Sequence, residues 1–84
     1  MAINDDFEKA QASVKTLTEK PDNTTLLELY ALYKQGVEGD ATGRRPGIMD
    51  PVARAKFDAW STKKGASTED AMKAYVAYVK QLLG

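Results

Sequence analysis

Two tyrosines and a lysine form the group in this sequence whose spacing most suggests chemistry. Tyr30, Tyr33 and Lys34 stand at positions i, i+3 and i+4, which places them on one face of a helix. Tyrosine rings offer flat, amphipathic surfaces to a base or a sugar, and an ammonium group binds phosphate. The same spacing also suits two core tyrosines with hydroxyls at the rim of the fold, so the pattern alone leaves both interpretations open.

The residues that most enzymes use for nucleophilic chemistry are absent. The 84-residue sequence has no Cys and no His, which removes thiolate nucleophiles, Ser–His and Cys–His pairs and the commonest metal ligands. A small enzyme such as a thioesterase would have to use Asp or Glu with Lys, and no paired-carboxylate or nucleophile motif supports that alternative. Enzymes can work with Asp, Glu, Lys, Tyr, Ser and Thr alone, so the absence of Cys and His favours binding over chemistry without excluding an enzyme. We expect no catalytic residue, no resident cofactor and no metal.

Charge is balanced overall but unevenly distributed along the chain. Twelve Lys and Arg residues match twelve Asp and Glu residues, whereas dedicated nucleic-acid binders carry a large positive excess. Residues 34–64 nevertheless hold seven bases and four acids, against three bases and six acids in residues 1–33. A local basic centre suits a small anion better than a polyanion. We therefore expect no nucleic-acid partner.

The hydrophobic pattern predicts four helices, because apolar residues recur at steps of three or four in four segments and no segment alternates like a strand. We expect the first helix to run through Phe7 and Leu17 and to end before Pro21, since the residue preceding a proline avoids the helical region. A loop over 40–49 separates the second helix from the third. A chain of this length forms one core, so a single domain over 1–84 is predicted.

Residues with capping chemistry mark the helix ends. The predicted N-caps are Asn4 or Asp5, Asp22 or Asn23, Asp50 and Ser67, and the predicted C-cap of the second helix is Gly39. Thr25 stands three residues before Glu28, which is the spacing of a capping box. The second helix is apolar over more than one stripe, which indicates contact with several neighbours or with a neighbour and a ligand. Trp60 is predicted to be a core residue.

A linked series of short motifs runs along essentially the whole chain without a gap. The motifs are Tyr30-x-x-Tyr33-Lys34-Gln35, Gly39-Asp40, Arg45-Pro46-Gly47 with Asp50, Ala55-Lys56-Phe57-Asp58-Ala59-Trp60, Lys64-Gly65 and Ser67-x-Glu69-Asp70-Ala71-Met72-Lys73-Ala74-Tyr75. Together they resemble the acyl-CoA-binding protein family in its small stand-alone form. The resemblance implies an all-α, four-helix bundle in an up-down-down-up arrangement, which binds medium- and long-chain acyl-CoA thioesters and carries them as an intracellular pool without chemistry.

The resemblance also implies a set of ligand-binding residues. Those that match the family's positions are Lys15, Leu26, Leu27, Tyr30, Tyr33, Lys34, Lys56 and Tyr75. By this match, Lys34 meets the ribose 3′-phosphate, Lys56 lies at a second phosphate region and Lys15 is placed near the ligand. The tyrosines at 30 and 75 match aromatic contacts around the nucleotide and acyl chain, and the two leucines help to line the acyl groove.

The sequence departs from the family pattern in two places. Phe57 stands where many members have a second Trp, and Pro51 and Val52 stand where members often carry an aromatic residue and a Lys. We expect a smaller aromatic packing contact at the first place. At the second, we expect a peripheral phosphate contact to be missing.

An alternative from another class is a helical protein-interaction module, which would dock a partner helix on the wide second helix and ignore acyl-CoA. Residues 1–9 carry acids where a secretory signal would have bases, and no apolar stretch is long enough to span a membrane. We therefore expect a cytoplasmic protein without stable membrane insertion. The chain has no heptad seam, so a monomer is predicted.

Overall fold

The computed structural model describes residues 3–84 and consists of four α-helices: α1 (Ile3–Val14), α2 (Asn23–Glu38), α3 (Pro51–Ser61) and α4 (Thr68–Leu83). Met1 and Ala2, which the predicted domain includes, lie outside the described residues. Residues 3–84 contain no strand, so the all-α prediction is confirmed. In the described part of the chain, no helix has the length and apolar character needed to cross a membrane.

Four of the predicted helix ends are formed as expected. The side chains of Asp22, Asp50 and Ser67 each accept a hydrogen bond from the backbone N–H three residues later, at 2.8, 3.3 and 3.0 Å. Each of them therefore satisfies a backbone donor that the first turn of its helix leaves free. Gly39 ends α2 with a φ of 84°, a conformation that is open to glycine and strained for residues with a side chain.

Two of the predictions for helix N-termini are wrong. Asn4 and Asp5 lie inside α1, because this helix already begins at Ile3. Thr25 also lies inside its helix, since Asp22 takes the N-cap position and binds the backbone N–H of Thr25. Glu28 therefore has no capping role, and its carboxylate instead accepts a hydrogen bond from the ammonium of Lys63 at 2.6 Å.

The first helix is shorter than predicted, because it ends at Val14 and leaves Leu17 outside. Beyond Val14 the backbone N–H groups of Lys15 and Thr16 bond to carbonyls three residues earlier, at 3.2 and 3.0 Å. The hydroxyl of Thr16 also donates to the carbonyl of Ser13 at 2.7 Å. Side-chain hydrogen bonds of this kind compete with the helical pattern, and hydrophobic spacing alone does not reveal them.

The apolar core lies between α1, α2 and α4. Its buried members are Phe7, Ala10, Leu29, Leu32, Tyr75 and Val79. The rings of Phe7 and Tyr75 meet edge to face, with their centroids 5.1 Å apart. Burying a large apolar side chain stabilises a fold by about 1.5–3 kcal/mol, so this cluster holds the three helices together.

Side-chain neighbours show that α4 runs parallel to α1 and antiparallel to α2. The neighbouring pairs are Phe7 with Tyr75 and Leu17 with Leu82 on one side, and Gly36 with Met72 and Thr25 with Leu82 on the other. Residue numbers rise together in the first two pairs and run in opposite directions in the last two. Helices α1 and α2 therefore point in opposite directions, and α4 returns to the direction of α1.

The third helix runs parallel to the second. Lys56 lies against Tyr30 and Trp60 lies against Lys34, so residue numbers rise together along both helices. Parallel neighbours require a connection that travels back along their length, and the long segment between Gly39 and Asp50 provides it. The arrangement is therefore up-down-down-up, as predicted.

Polar contacts fix the position of α3. Its only helical neighbour in the described chain is α2. Trp60 is buried, as predicted, and its indole Nε1 donates to the carbonyl of Gly39 at 2.8 Å. Arg45 of the long loop forms two hydrogen bonds to Asp58, at 2.8 and 2.7 Å. The end of α2 and the loop therefore fix the position of α3.

Candidate functional site

Lys34 lies at the centre of a polar cluster where α2 faces α3. Its ammonium lies 4.9 Å from the centroid of the Trp60 ring and donates a hydrogen bond to Glu38, one turn later. This hydrogen bond raises the pKa of Lys34, and the nearby hydroxyls of Tyr30 and Tyr33 add smaller contributions. The ammonium therefore remains charged at neutral pH and can bind a phosphate.

A second cation lies on the same seam between the two parallel helices. The ammonium of Lys56 on α3 lies 5.4 Å from the centroid of the Tyr30 ring, within cation–π distance. Tyr30 and Lys34 are one turn apart on α2. The seam between α2 and α3 therefore holds two ammonium groups and a phenol ring.

Tyr33 belongs to the other side of the cluster, where α2 meets α1 and α4. Its ring stacks on Phe7 with the centroids 6.0 Å apart, and Phe7 in turn meets the buried ring of Tyr75. Burial raises the pKa of Tyr75, and the neighbouring Tyr33 raises it further. Phe7 thus links two of the predicted ligand residues, and Tyr33 remains 36% exposed.

An apolar groove of about 370 Å³ opens between the N-terminal halves of α2 and α3. It is lined by Asn23, Leu26, Leu27, Pro51, Val52, Ala55 and Lys56. Carbon atoms dominate this lining, which suits an aliphatic chain. Because the ammonium of Lys56 also lies over Tyr30, the groove begins where the polar cluster ends.

The structure places five of the eight predicted ligand residues along the seam between α2 and α3: Leu26, Leu27, Tyr30, Lys34 and Lys56. Tyr33 and Tyr75 lie on the side of α2 that faces α1 and α4, where both contact Phe7. Lys15 is exposed in the turn after α1, and within residues 3–84 its side chain forms neither a hydrogen bond nor an ion pair. The contact of these residues with a ligand stays a prediction.

Sequence reasoning missed two partners of Lys34. Glu38 is four residues further along α2, a spacing that brings side chains together on a helix and could have identified it. Trp60 was expected only in the core, yet its ring also supports the Lys34 ammonium. That second role depends on how α3 packs on α2, so no local pattern indicates it.

A buried glutamine next to Lys34 was also missed as a structural element. The amide of Gln35 is completely buried and donates at 2.8 Å to both the Asp40 carboxylate and the carbonyl of Ala66. Asp40 also accepts the backbone N–H of Gly65 at 2.9 Å. This bond, followed by the one from Gln35, lowers the pKa of Asp40. The network ties the end of α2 to the turn between α3 and α4, directly beside the cluster.

The departures from the family pattern have distinct places in the structure. Phe57 lies edge to face against Trp60, with the ring centroids 6.3 Å apart. Pro51 and Val52 line the apolar groove, and Val52 is 65% exposed. The second departure therefore adds apolar surface to the groove at the point where the family pattern has a cationic residue.

Comparisons with known proteins agree on one family. The family model described as "Acyl CoA binding protein" matches residues 4–79. The acyl-CoA-binding protein homolog 1 of Caenorhabditis elegans is 52% identical over 77 residues, covering 92% of this chain and 90% of that protein. The acyl-CoA-binding protein homolog of Manduca sexta is 48% identical over 84 residues, and the match covers 99% of this chain and 93% of that protein.

A solved structure agrees with the fold described above. The crystal structure of acyl-CoA-binding protein 2 from Oryza sativa matches with a TM-score of 0.93 at 43% sequence identity, and the match covers 98% of this chain and 91% of that one. Similarity therefore extends over nearly the full length in both sequence and structure. The chain belongs to the acyl-CoA-binding protein family.

Proposed function

We propose that the chain acts as a single domain that binds medium- and long-chain acyl-CoA thioesters and carries them as an intracellular pool in the cytoplasm. One observation carries the proposal: Lys56 lines the apolar groove and also lies over Tyr30, so a cation and an aromatic ring adjoin the apolar surface. An acyl-CoA has the same layout, with phosphates and an adenine at one end and an aliphatic tail at the other.

The proposed roles divide between the two ends of the site. Lys34 binds the ribose 3′-phosphate and exchanges its charge-assisted hydrogen bond with Glu38 for one with the phosphate. Lys56 binds a second phosphate, and Lys15 approaches the ligand from the turn after α1. The aromatic contacts of the nucleotide and acyl chain are assigned to the tyrosines at 30, 33 and 75, and the start of the tail to the leucines at 26 and 27.

Each end of the site should discriminate against a different competing ligand. A hydrogen bond to a charged group contributes about 1.5–3 kcal/mol. Each methylene removed from water contributes about 0.8 kcal/mol, so six sheltered methylenes give roughly 5 kcal/mol at most. The tail should therefore discriminate acyl-CoA from free CoA, and the phosphates should discriminate acyl-CoA from free fatty acid.

A carrier role without chemistry fits the residues available. The sequence offers no Cys or His to attack or activate a thioester. A net charge of zero agrees with a small anionic ligand rather than a nucleic acid, and we propose that the carrier works as a monomer. The family match gives no support to the alternative of a protein-interaction module.

Calorimetric titration tests the proposal with palmitoyl-CoA, free CoA and palmitate. We expect palmitoyl-CoA to bind at least about a hundredfold more tightly than CoA, and palmitate to bind poorly because it lacks phosphates. The thioester should stay intact during prolonged incubation, as followed by release of free thiol. Equal affinity for CoA and palmitoyl-CoA would contradict the role of the groove, and thiol release above the rate in buffer would contradict the carrier role.

A further inference from the structure

A second cavity adjoins the apolar groove further along the bundle. It has a volume of about 510 Å³ and is lined by Thr24, Leu27, Glu28, Ala59, Thr62 and Tyr78. It lies where α2 faces both α3 and α4, and α3 and α4 are not a packed pair in the described chain. The space between these two helices is therefore open to an occupant, and we refer to it as the distal cavity.

The distal cavity borders the groove at one side chain. Leu27 lines both spaces. On α3, the residues that line the two spaces follow one another at steps of three or four, on a single face of the helix: Val52, Ala55, Ala59 and Thr62. The two alanines of this row present only methyl groups, which leaves room for a chain to run along the helix past Leu27.

The chemistry of the distal cavity fits the end of an aliphatic chain. Tyr78 and the alanine and leucine side chains give it mainly carbon surface. Its one acidic member, Glu28, is engaged in an ion pair with Lys63, with 2.6 Å between oxygen and nitrogen. The charge of Glu28 is thus compensated by Lys63.

We propose that the tail of a long-chain ester passes Leu27 and ends in the distal cavity, so that Leu27 and Ala59 determine the chain length at which affinity stops rising. The inference rests on the proposed function, because the groove must hold the first part of the tail. A shorter tail fills only the groove and does not reach Ala59. Each further methylene that enters the distal cavity raises the affinity by up to about fourfold, whereas a methylene left in water adds nothing.

The experiment measures dissociation constants of octanoyl-, dodecanoyl-, palmitoyl- and arachidoyl-CoA for the parent and for Ala59→Leu. The larger side chain occupies part of the distal cavity and leaves the groove unchanged. We expect the octanoyl-CoA affinity to stay within about twofold of the parent, and the palmitoyl-CoA affinity to fall about tenfold or more. Ala77→Leu makes the same change on the exposed face of α4 and should match the parent at every length.

Thr24→Leu provides a second variant, because position 24 is exposed and tolerates substitution should Ala59→Leu fold poorly. It narrows the same cavity from the α2 side, and we expect the same selective loss for long chains. If the variants bind palmitoyl-CoA like the parent, or lose affinity equally for all chain lengths, the tail does not end in the distal cavity. The proposed function would remain intact in either case. A parent that binds none of the esters would overturn the proposed function itself.

Discussion

The three-helix unit of α1, α2 and α4 and the single helix α3 are held in place by different means. The first is built on a cluster of buried apolar side chains that interlock three helices. Trp60 is the only buried residue of α3, and the polar contacts of α3 and its flanking segments are a tryptophan hydrogen bond, two ion pairs and two cation–π contacts. The domain therefore combines an apolar scaffold with a fourth helix that contributes one buried side chain and mostly polar contacts.

This difference explains where the ligand site lies. Helix α2 is apolar over more than one stripe, and the stripe facing α1 and α4 is buried in the core. The stripe facing α3 is covered only in part, because Leu26 and Leu27 border the groove. Because α3 buries only Trp60, this second stripe stays available for a tail. The scaffold supplies stability, and the seam beside α3 supplies binding.

The largest expected effect is a loss of stability at Leu29, which belongs to the scaffold rather than to the site. This side chain is 6% exposed in the core cluster, and its removal in Leu29→Ala leaves a cavity. We expect the free energy of unfolding to fall by about 2–5 kcal/mol, as measured by urea denaturation with circular dichroism. Leu83→Ala is the matched control, since Leu83 is 50% exposed. Its replacement should lower the free energy of unfolding by well under half as much. Comparable losses at both positions would contradict the assignment of the core.

The sequence predicted the fold well where local chemistry decides the outcome. The caps Asp22, Asp50 and Ser67 and the terminal Gly39 could all be identified, because each acts within a few residues of its own helix end. The end of α1 could not, because the hydroxyl of Thr16 competes with the helix for a backbone carbonyl. Hydrophobic spacing continues to Leu17 regardless of this competition.

The next largest effect concerns ligand affinity at Lys34. Lys34→Ala removes a partly exposed cation but no core atoms, so we expect the melting temperature to change little. Binding of an acyl-CoA should weaken by about 1.5–3 kcal/mol, the contribution of a hydrogen bond to a charged group. The loss should shrink for esters of dephospho-CoA, which lack the 3′-phosphate, and the salt dependence of binding should flatten.

Lys73→Ala is a close control for Lys34→Ala. Lys73 forms the same type of i,i+4 ion pair, with Glu69 at 3.2 Å, but on the exposed surface of α4. Its replacement should leave acyl-CoA binding unchanged. If calorimetry shows that Lys34→Ala binds both esters like the parent, Lys34 is a surface lysine and the site has been assigned to the wrong face of α2.

The candidate site was predictable only in part, because its residues come from separate elements. The spacing of Tyr30 and Lys34 showed that they share a face of α2, and the family resemblance added Lys56. The contacts of Lys34 with Trp60, and of Gln35 with Ala66, join residues far apart in the sequence. These contacts exist because α3 packs parallel to α2, and neither composition nor periodicity determines that packing.

A smaller effect is expected for the attachment of α3. Trp60→Phe keeps an aromatic ring at the buried position but removes the indole N–H that donates to the carbonyl of Gly39. We expect the free energy of unfolding to fall by about 0.5–1.5 kcal/mol for the lost hydrogen bond, less than for Leu29→Ala. Circular dichroism is the appropriate probe, because the variant contains no Trp for fluorescence. A loss as large as that of Leu29→Ala would show that α3 is as firmly held as the core.

The smallest effect has the opposite sign and concerns Glu38. Glu38 holds the Lys34 ammonium, so a phosphate must compete with this carboxylate. Glu38→Gln removes the competing charge, and exposed i,i+4 pairs contribute about 0.3–0.5 kcal/mol. We therefore expect acyl-CoA to bind about twofold more tightly at low salt, with the gain diminishing as salt screens the charges. Glu69→Gln, which frees Lys73 in the same way, should leave affinity unchanged. Weaker binding by Glu38→Gln would mean that Glu38 orients Lys34 for the ligand rather than competing with it.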